Sequence, residues 1–505
     1  MFISNKKYLI QPNSNKLLIT YLHNNLTQSK INLAISVIAK EKMKKPLLDK
    51  ITQLVEVDKK ISFDSQNPNI YRQRALLLQE LGCNFLAMDD NRICALLENR
   101  EDIEYYNHQY QSLLTEEQFI KKFQQENHTH YYEFLSYIIM AEKFLSAEKI
   151  DSVHFDLLAG NLLCLGLLNL SLRCSNDAIK YLKNYPKELS SAYLNKALLL
   201  NLVGEYKEGW KLYEHRWETN YESFANSLLS SFPKWNGERL KNKDILLIHS
   251  EQGIGDNIQF VRYAIYLKHQ GINVLVWNNT YIDDFLSFNL TRYGIPTVKH
   301  GDMVNFTYWV PMMSLPYFCG TTLQNIPLKN AYLTTSPESI QKWKSEFPAT
   351  FKRKIGVVWQ GGRGTPNDKI RSIPLEIFSK LFSVDAEFHV LQKDINEKEV
   401  NYLSKYKNVH LWHSKLETFF DTAAIASQLD LIICVDTSVA HLTAALGMPT
   451  WILINYKPDF RWLLYRNDSV WYNSVKLFRQ NLDYDWESVV QNIIFALNEF
   501  IIGKE

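Results

Sequence analysis

The sequence predicts an α plus α/β protein: a helical repeat region followed by two successive doubly wound parallel blocks. Three observations carry this. The first ~220 residues hold long 3.6-period apolar patterns, with few prolines and few alternating β-branched runs. From Lys243 onward, short apolar runs alternate with helical stretches, the βαβ pattern of a parallel sheet. Finally, the apolar run Leu429-Asp430-Leu431-Ile432-Ile433-Cys434-Val435 passes directly into Asp436-Thr437-Ser438-Val439-Ala440-His441 and an Ala-rich stretch ending at Gly447-Met448-Pro449, which reads as strand, turn and helix.

In the helical region, Ala75-Leu76-Leu77-Leu78 with Gly82 and Ala87 matches Ala197-Leu198-Leu199-Leu200 with Gly204 and Gly209. The separation is close to a whole number of helix-pair repeats of roughly 30–34 residues. A partial third copy spans 162–182, with Ala178 in the small-residue position and Arg173 where Gly204 would have its counterpart. Small residues there let the two helices of a pair touch. These segments resemble tetratricopeptide repeats, best over 192–217. The alternative is an irregular helical bundle.

Across 223–243 the helical pattern lapses into Ser-rich residues with Pro233, Trp235 and Gly237, a boundary signal. Strands follow at 245–248 and 272–276, with a helix over 257–269 between them. A second block opens at Lys354-Ile355-Gly356-Val357-Val358-Trp359 and adds strands at 387–392, 409–411, 429–435 and 450–454. The resulting division is 1–230, 231–345 and 346–505. Two doubly wound blocks in series leave a cleft at the C-terminal ends of their strands, where ligands bind.

Composition narrows the partners. Of the 505 residues, 56 are Lys or Arg and 54 Asp or Glu, so charge favours neither nucleic acid nor a membrane surface. Cys83, Cys94, Cys164, Cys174, Cys319 and Cys434 are scattered without a CxxC pair and read as reduced core cysteines. No apolar run approaches the ~20 residues of a membrane span, and residues 1–7 lack a long apolar leader. These features lead to the expectation of a cytoplasmic protein.

Chemistry concentrates after the strands. The turn at 437–441 offers backbone N–H groups and a positive dipole end, supplemented by Thr437, Ser438 and His441, which suits a diphosphate. The first βα turn is His249-Ser250-Glu251-Gln252-Gly253-Ile254-Gly255-Asp256, where Gly253 and Gly255 permit close backbone approach. Asp256 reads either as a first-turn helix acid or as a general base for an acceptor hydroxyl. Trp359-Gln360-Gly361-Gly362-Arg363-Gly364, running on to Asn367-Asp368-Lys369-Ile370-Arg371-Ser372-Ile373-Pro374, is either an anion-binding loop or a flexible surface loop. Lys393 is a second phosphate partner or a solvated lysine. Asp459-Phe460-Arg461-Trp462 and Trp471-Tyr472 mix aromatics with charge and read as packing or as a substrate platform.

Residues 231–480 resemble the glycosyltransferase family 9-like domain that follows tetratricopeptide repeats in many bacterial proteins. The carrying motifs are 251–256 with Gln259-Phe260-Val261-Arg262-Tyr263, Pro311-Met312-Met313-Ser314-Leu315-Pro316, 367–374, Asp421-Thr422-Ala423-Ala424, 436–441 and 471–480, with 213–217 at the junction. The resemblance implies a GT-B fold of two Rossmann-like halves, acceptor side first and donor side second. That family includes heptosyltransferases, which are inverting, metal-independent and use nucleotide-diphosphate sugars. It implies Asp256 as catalytic base, with Gln252, Gly253, Gly255 and Gln259 on the acceptor side. Donor contacts would come from Gly361, Arg371, Lys393, Asp436, Thr437, Ser438 and His441. Arg371 stands where the family places Lys, and Ser438 where it places Gly, which requires a negative φ at 438.

The expected activity is therefore sugar transfer from a nucleotide-diphosphate sugar, without metal or other cofactor, to a glycan or to a protein acceptor held by the helical region. The layout resembles that of the O-GlcNAc transferases. A different class, an inactive scaffold with a vestigial or nucleotide-sensing GT-B half, would be marked by damage around Asp256 or His441. A nucleotide-sugar epimerase would need another set of catalytic carboxylates, which the sequence does not display.

Overall fold

The computed structural model describes residues 45–61, 64, 66–80, scattered positions from 87 to 98, 159, 168–184, 186–219, 229–278, 282–299, 302, 304–362, 371–456, 458–480 and 485–503. The chain divides into two units. One gathers the described residues up to Leu199 with those at 215–219; the other gathers Leu200–Glu214 and the described residues from 229 onward.

The first unit is built from helices α1 (Lys45–Ile61), α2 (Pro68–Glu80), α3 (Leu168–Tyr181) and most of α4 (Pro186–Leu202). Leu54, Val57 and Ile61 of α1 are buried at three- and four-residue spacing, as are Tyr71, Ala75 and Leu78 of α2, so each helix turns one stripe inward. At the centre lies a buried ionic cluster. Arg74 bonds Asp90 through Nε and Nη2 at 2.7 and 2.6 Å and Asp58 through Nη1. Asp90 also accepts from Arg173 at 3.1 Å, and Asp58 from the Asn169 N–H at 2.9 Å.

The expected repeats are traced in part. Gly82 and residues 162–167 lie outside the described residues, while Ala87 is fully buried. Arg173 sits inside the uninterrupted helix α3, so the turn that a third copy needs at that position is absent. In the 192–217 copy, α4 is followed by a turn with Gly204 at φ +86° and then by α5 (Tyr206–Tyr213). A Cβ at Gly209 would lie 2.2 Å from Asn201 Oδ1, so a small residue there does let the two helices touch.

The second unit contains two parallel sheets. The first has order β3-β2-β1-β4, from β1 (Ile245–His249), β2 (Asn273–Trp277), β3 (Thr297–Val298) and β4 (Tyr308–Pro311). Leu247 pairs with Leu275 on one side and Trp309 on the other. Helices α6 (Ile254–Phe260) and α7 (Arg262–His269) occupy the stretch expected as one helix, broken at Val261, and α8 (Asp283–Thr291) follows β2. The second sheet, preceded by α9 (Pro337–Lys344), has order β10-β9-β8-β5-β6-β7. Its strands are β5 (Lys354–Val358), β6 (Glu387–Val390), β7 (Val409–Leu411), β8 (Leu431–Val435), β9 (Thr450–Ile454) and β10 (Val475–Arg479). Every residue of β8 and β9 is buried, as expected of central parallel strands covered on both faces. Covering helices are α10 (Glu397–Leu403), α11 (Phe419–Ala426), α12 (Ser438–Ala445) and α13 (Trp486–Ile501). Strands β3, β4 and β10 add to those foreseen; β3 is only two residues long, too short for a periodic signal.

In each sheet the chain begins at an inner strand, grows outward to one edge and then returns to the other side. The switch points therefore lie between β1 and β4 and between β5 and β8, where crevices open at the strand C-termini. Among the described residues no helix is long and apolar enough to cross a membrane. Cys94, Cys174 and Cys434 are buried, and Cys319 is partly exposed.

Candidate functional site

The loop after β1 is shaped from both ends. The buried Glu251 carboxylate accepts the Met313 N–H at 2.8 Å, which anchors the loop under β4. Gln252 adopts φ +62°, a left-handed conformation uncommon outside glycine, and its Nε2 donates to the Tyr213 hydroxyl at 2.8 Å. Gly253 caps α6, and Asp256 in the first turn accepts the Gly253 N–H through Oδ2 at 2.8 Å. A Cβ at 253 would stand 3.1 Å from that oxygen, so glycine keeps the space behind the carboxylate open. Asp256 is thus a first-turn acid, favoured by the helix dipole.

It is also an ion-pair partner. Arg461 Nη2 bonds Asp256 Oδ1, while Nη1 bonds Asp459 Oδ1 at 2.6 Å and Nε bonds Gln259 Oε1 at 2.9 Å. The guanidinium lies over the Phe460 ring, 4.4 Å from its centroid. Burial alone would lower the Arg461 pKa, but Asp256 and Asp459 outweigh it and raise it, so this cation is permanent. Burial raises the Asp256 pKa, with Arg461 and the Gly253 N–H pulling the other way.

On the other half, β8 ends at Val435 and Thr437 caps α12 with extended backbone at φ −144°. Its Oγ1 is buried without a hydrogen-bond partner. Ser438 opens the helix and is absent from the residues with positive φ, so the negative φ that serine requires at this position is met. The first N–H groups of such a helix have no intrahelical partners. Arg371 Nη1 donates to the Asp436 carbonyl at 2.8 Å, which brings that guanidinium to the same turn. Burial and Asp459 push the Asp436 carboxyl up to about 6, against the pull of Arg371. His441 is buried and stacks on Trp462 with centroids 5.3 Å apart; its Nδ1 lies 3.0 Å from the Tyr472 hydroxyl and its Nε2 4.0 Å from Asp436 Oδ1. Burial, then Arg461, Arg262 and Arg371, hold its pKa well below the ordinary imidazole value, so the ring is neutral.

The two turns meet. A Cβ at Gly255 would come 2.9 Å from His441 Cδ2, so glycine is what allows α6 and α12 to cross at their N-termini. Arg262 fixes the crossing. Fully buried, it donates to the Gln259 and Trp471 carbonyls at 2.8 and 2.7 Å and to the Tyr332 hydroxyl at 3.0 Å. Its guanidinium also lies over the Tyr332 and Tyr472 rings at 4.7 and 4.5 Å, a cation–π arrangement worth more when desolvated.

Of the residues singled out from sequence, Asp256, Gly255, Gln259, Arg371, Asp436, Thr437, Ser438 and His441 converge on this crossing, with Gln252 and Gly253 in the loop that leads to it. Two do not join it by any contact among the described residues. Gly361 is buried and its N–H donates to Ser372 Oγ at 3.1 Å, tying the two ends of a loop whose residues 363–370, including Arg363, Gly364, Asn367 and Lys369, lie outside the described residues. Lys393 is exposed, with Nζ 3.3 Å from the Glu417 carbonyl. The residue underrated in the sequence is Arg461. A lone arginine between Phe460 and Trp462 carried the signal, because a cation inside an aromatic run must be buried with partners.

No family model matches the chain. Over 340 residues it is 22% identical to protein FlbA of Caulobacter vibrioides, covering 62% of this chain and 56% of that protein. The chain thus spans about half the length of the curated relative it matches. Among solved structures it is similar to a glycosyl transferase of family 9 from Veillonella parvula, with TM-score 0.38 and 10% identity over 52% of this chain and 99% of that one. The ADP-heptose heptosyltransferase II of E. coli gives TM-score 0.34 and 10% identity over 52% and 99% of the two chains. An O-GlcNAc transferase of Thermobaculum terrenum gives TM-score 0.22 and 10% identity over 92% and 96%.

Proposed function

We propose that the chain is an inverting, metal-independent glycosyltransferase that uses a nucleotide-diphosphate sugar. The observation that supports this most is the crossing of α6 and α12 at Gly255 and His441. It sets a carboxylate, Asp256, beside a helix start equipped with Arg371 and the Thr437 hydroxyl. Asp256 takes the proton of an acceptor hydroxyl, and the oxygen attacks the anomeric carbon. The bond from that carbon to the diphosphate breaks, and the nucleoside diphosphate leaves with the electron pair. The helix-start N–H groups and Arg371 stabilise the leaving charge. Neutral His441 contributes a directed hydrogen bond rather than a charge. Lys393 joins the donor site only if its side chain leaves the Glu417 carbonyl. The acceptor is a protein or glycan, recruited by the helical region, whose likeness to tetratricopeptide repeats supports a protein. The protein works in the cytoplasm.

The test is a thermal-shift screen of the full chain against ADP-, UDP-, GDP-, dTDP- and CMP-sugars, with and without chelator. A selective rise in melting temperature, unchanged by chelation, is expected for one donor. Asp256→Ala should keep that shift while abolishing transfer. No shift with any nucleotide would replace this reading with that of a scaffold.

A further inference from the structure

The carboxylate assigned as base is completed from the opposite half of the cleft. Asp256 belongs to the β1–α6 turn, whereas the cation bonded to it comes from the 3-10 turn Phe460–Trp462 after β9. Three separate nitrogens of Arg461 each hold a different partner: Gln259 on α6, Asp459 on its own turn, and Asp256. Such a fork fixes the carboxylate's orientation as well as its charge, and lysine cannot reproduce it.

Resting on the reading of Asp256 as base, we infer that Arg461 is a positioning residue. It reaches across the cleft to hold the Asp256 carboxylate ionised and aimed, so the base exists only when the two halves are apposed as they are here.

The surroundings show why a cation is required. From its own loop Asp256 faces the Glu251 carboxylate and the Gly253 N–H, and from the 3-10 turn it faces Asp459 with Arg461. Across the crossing stand neutral His441 and the Asp436 carboxyl, the latter countered by Arg371; Arg262 lies behind on α7. Four carboxyl groups, Asp256, Glu251, Asp459 and Asp436, face three guanidinium groups here, and without Arg461 the nearest of those cations to Asp256 is lost. Asp256 would then retain its proton into the range where a base must be free of it. Asp459 acts in the opposite sense, because it competes for the guanidinium and repels the Asp256 charge.

The experiment follows the Asp256 carboxyl directly, without any donor. Full-length protein carrying 13C-labelled aspartate carboxyls is titrated by NMR, and the Asp256 signal is assigned by its loss in D256N. In R461Q the midpoint should rise by about 1–3 pH units, the usual effect of removing an adjacent opposite charge. A merely structural Arg461 would lower the melting temperature and leave the midpoint in place, which would overturn the inference. Should R461Q fail to fold, R461K serves: a point cation that cannot form the three-way fork should raise the Asp256 midpoint, and an unchanged midpoint overturns the inference. Because the readout is independent of turnover, a failed donor screen and a failed titration remain separate results.

Discussion

Two buried arginines, each gripped by two aspartates, do different work in the two units. Arg74, Asp58 and Asp90 have side-chain exposures of 2%, 1% and 0%, so the cluster that ties α1, α2 and α3 is sealed from water. Arg461 is nearly as buried at 8%, yet Asp256 and Asp459 are 19% and 37% exposed. The same ionic chemistry is sealed from water in one cluster and leaves its acids partly open to solvent in the other. Exposure of the carboxylates, not burial of the cation, separates the two.

The comparison breaks most visibly at Arg74. Arg74→Leu leaves buried Asp58 without its cation and Asp90 with Arg173 alone, and should cost roughly 3–5 kcal/mol in urea melts. Arg461→Gln should cost less, about 1–3 kcal/mol, because Asp459 can turn to water. If the two costs came in reverse order, the distinction drawn from exposure would fall. Next in size is Gly255→Ala, whose methyl meets the His441 ring and should cost about 1–3 kcal/mol by overpacking. A melting temperature equal to that of the parent would mean that α6 and α12 do not cross so closely.

Asp436 sharpens the comparison through pH. Its folded pKa is raised to about 6, so the native state holds this proton more tightly than the unfolded chain does. Its ionisation therefore costs stability as pH rises between the unfolded carboxylate value and about 6, and the cost is absent at lower pH. Asp436→Asn should melt higher than the parent at pH 7.5, by about 1 kcal/mol after allowance for solvent at a partly exposed side chain, with the gap closing near pH 4. A gap independent of pH would remove Asp436 as a titrating group. The smallest effect is expected for Tyr472→Phe, which removes the hydroxyl from His441 Nδ1 and should cost up to about 1 kcal/mol, read by thermal melts.

Local pattern made much of this legible. The strand–turn–helix at 431–445 and the glycine turn at 253–255 were evident because a buried parallel strand and a helix start each leave a short-range signature. The pairing of Asp256 with Arg461 was not, since 205 residues separate them and only the packing of one half on the other brings them together. Arg262 was visible as part of a motif, but its role was not. It has no local acid to announce it, and its donors satisfy the Gln259 and Trp471 carbonyls and the Tyr332 hydroxyl. The repeat reading went astray at Arg173 because small-residue spacing marks where helices can touch, not where one ends.

Helix α5 has one further implication. Trp210 sits among Phe260, Phe460 and Trp471 with ring centroids 5.6–6.3 Å apart, and Tyr206 accepts the Trp471 indole N–H at 3.0 Å. An eight-residue segment continuous with the helical hairpin is thus part of the hydrophobic interior beneath the cleft. Recombination or proteolysis at residue 230, where composition changes, would remove a wall of that interior rather than release a free module. A recombinant fragment beginning at 186 should stay monodisperse where one beginning at 229 precipitates. The seam at which evolution could have joined these parts lies upstream of α5, not at the Ser-rich stretch that follows it.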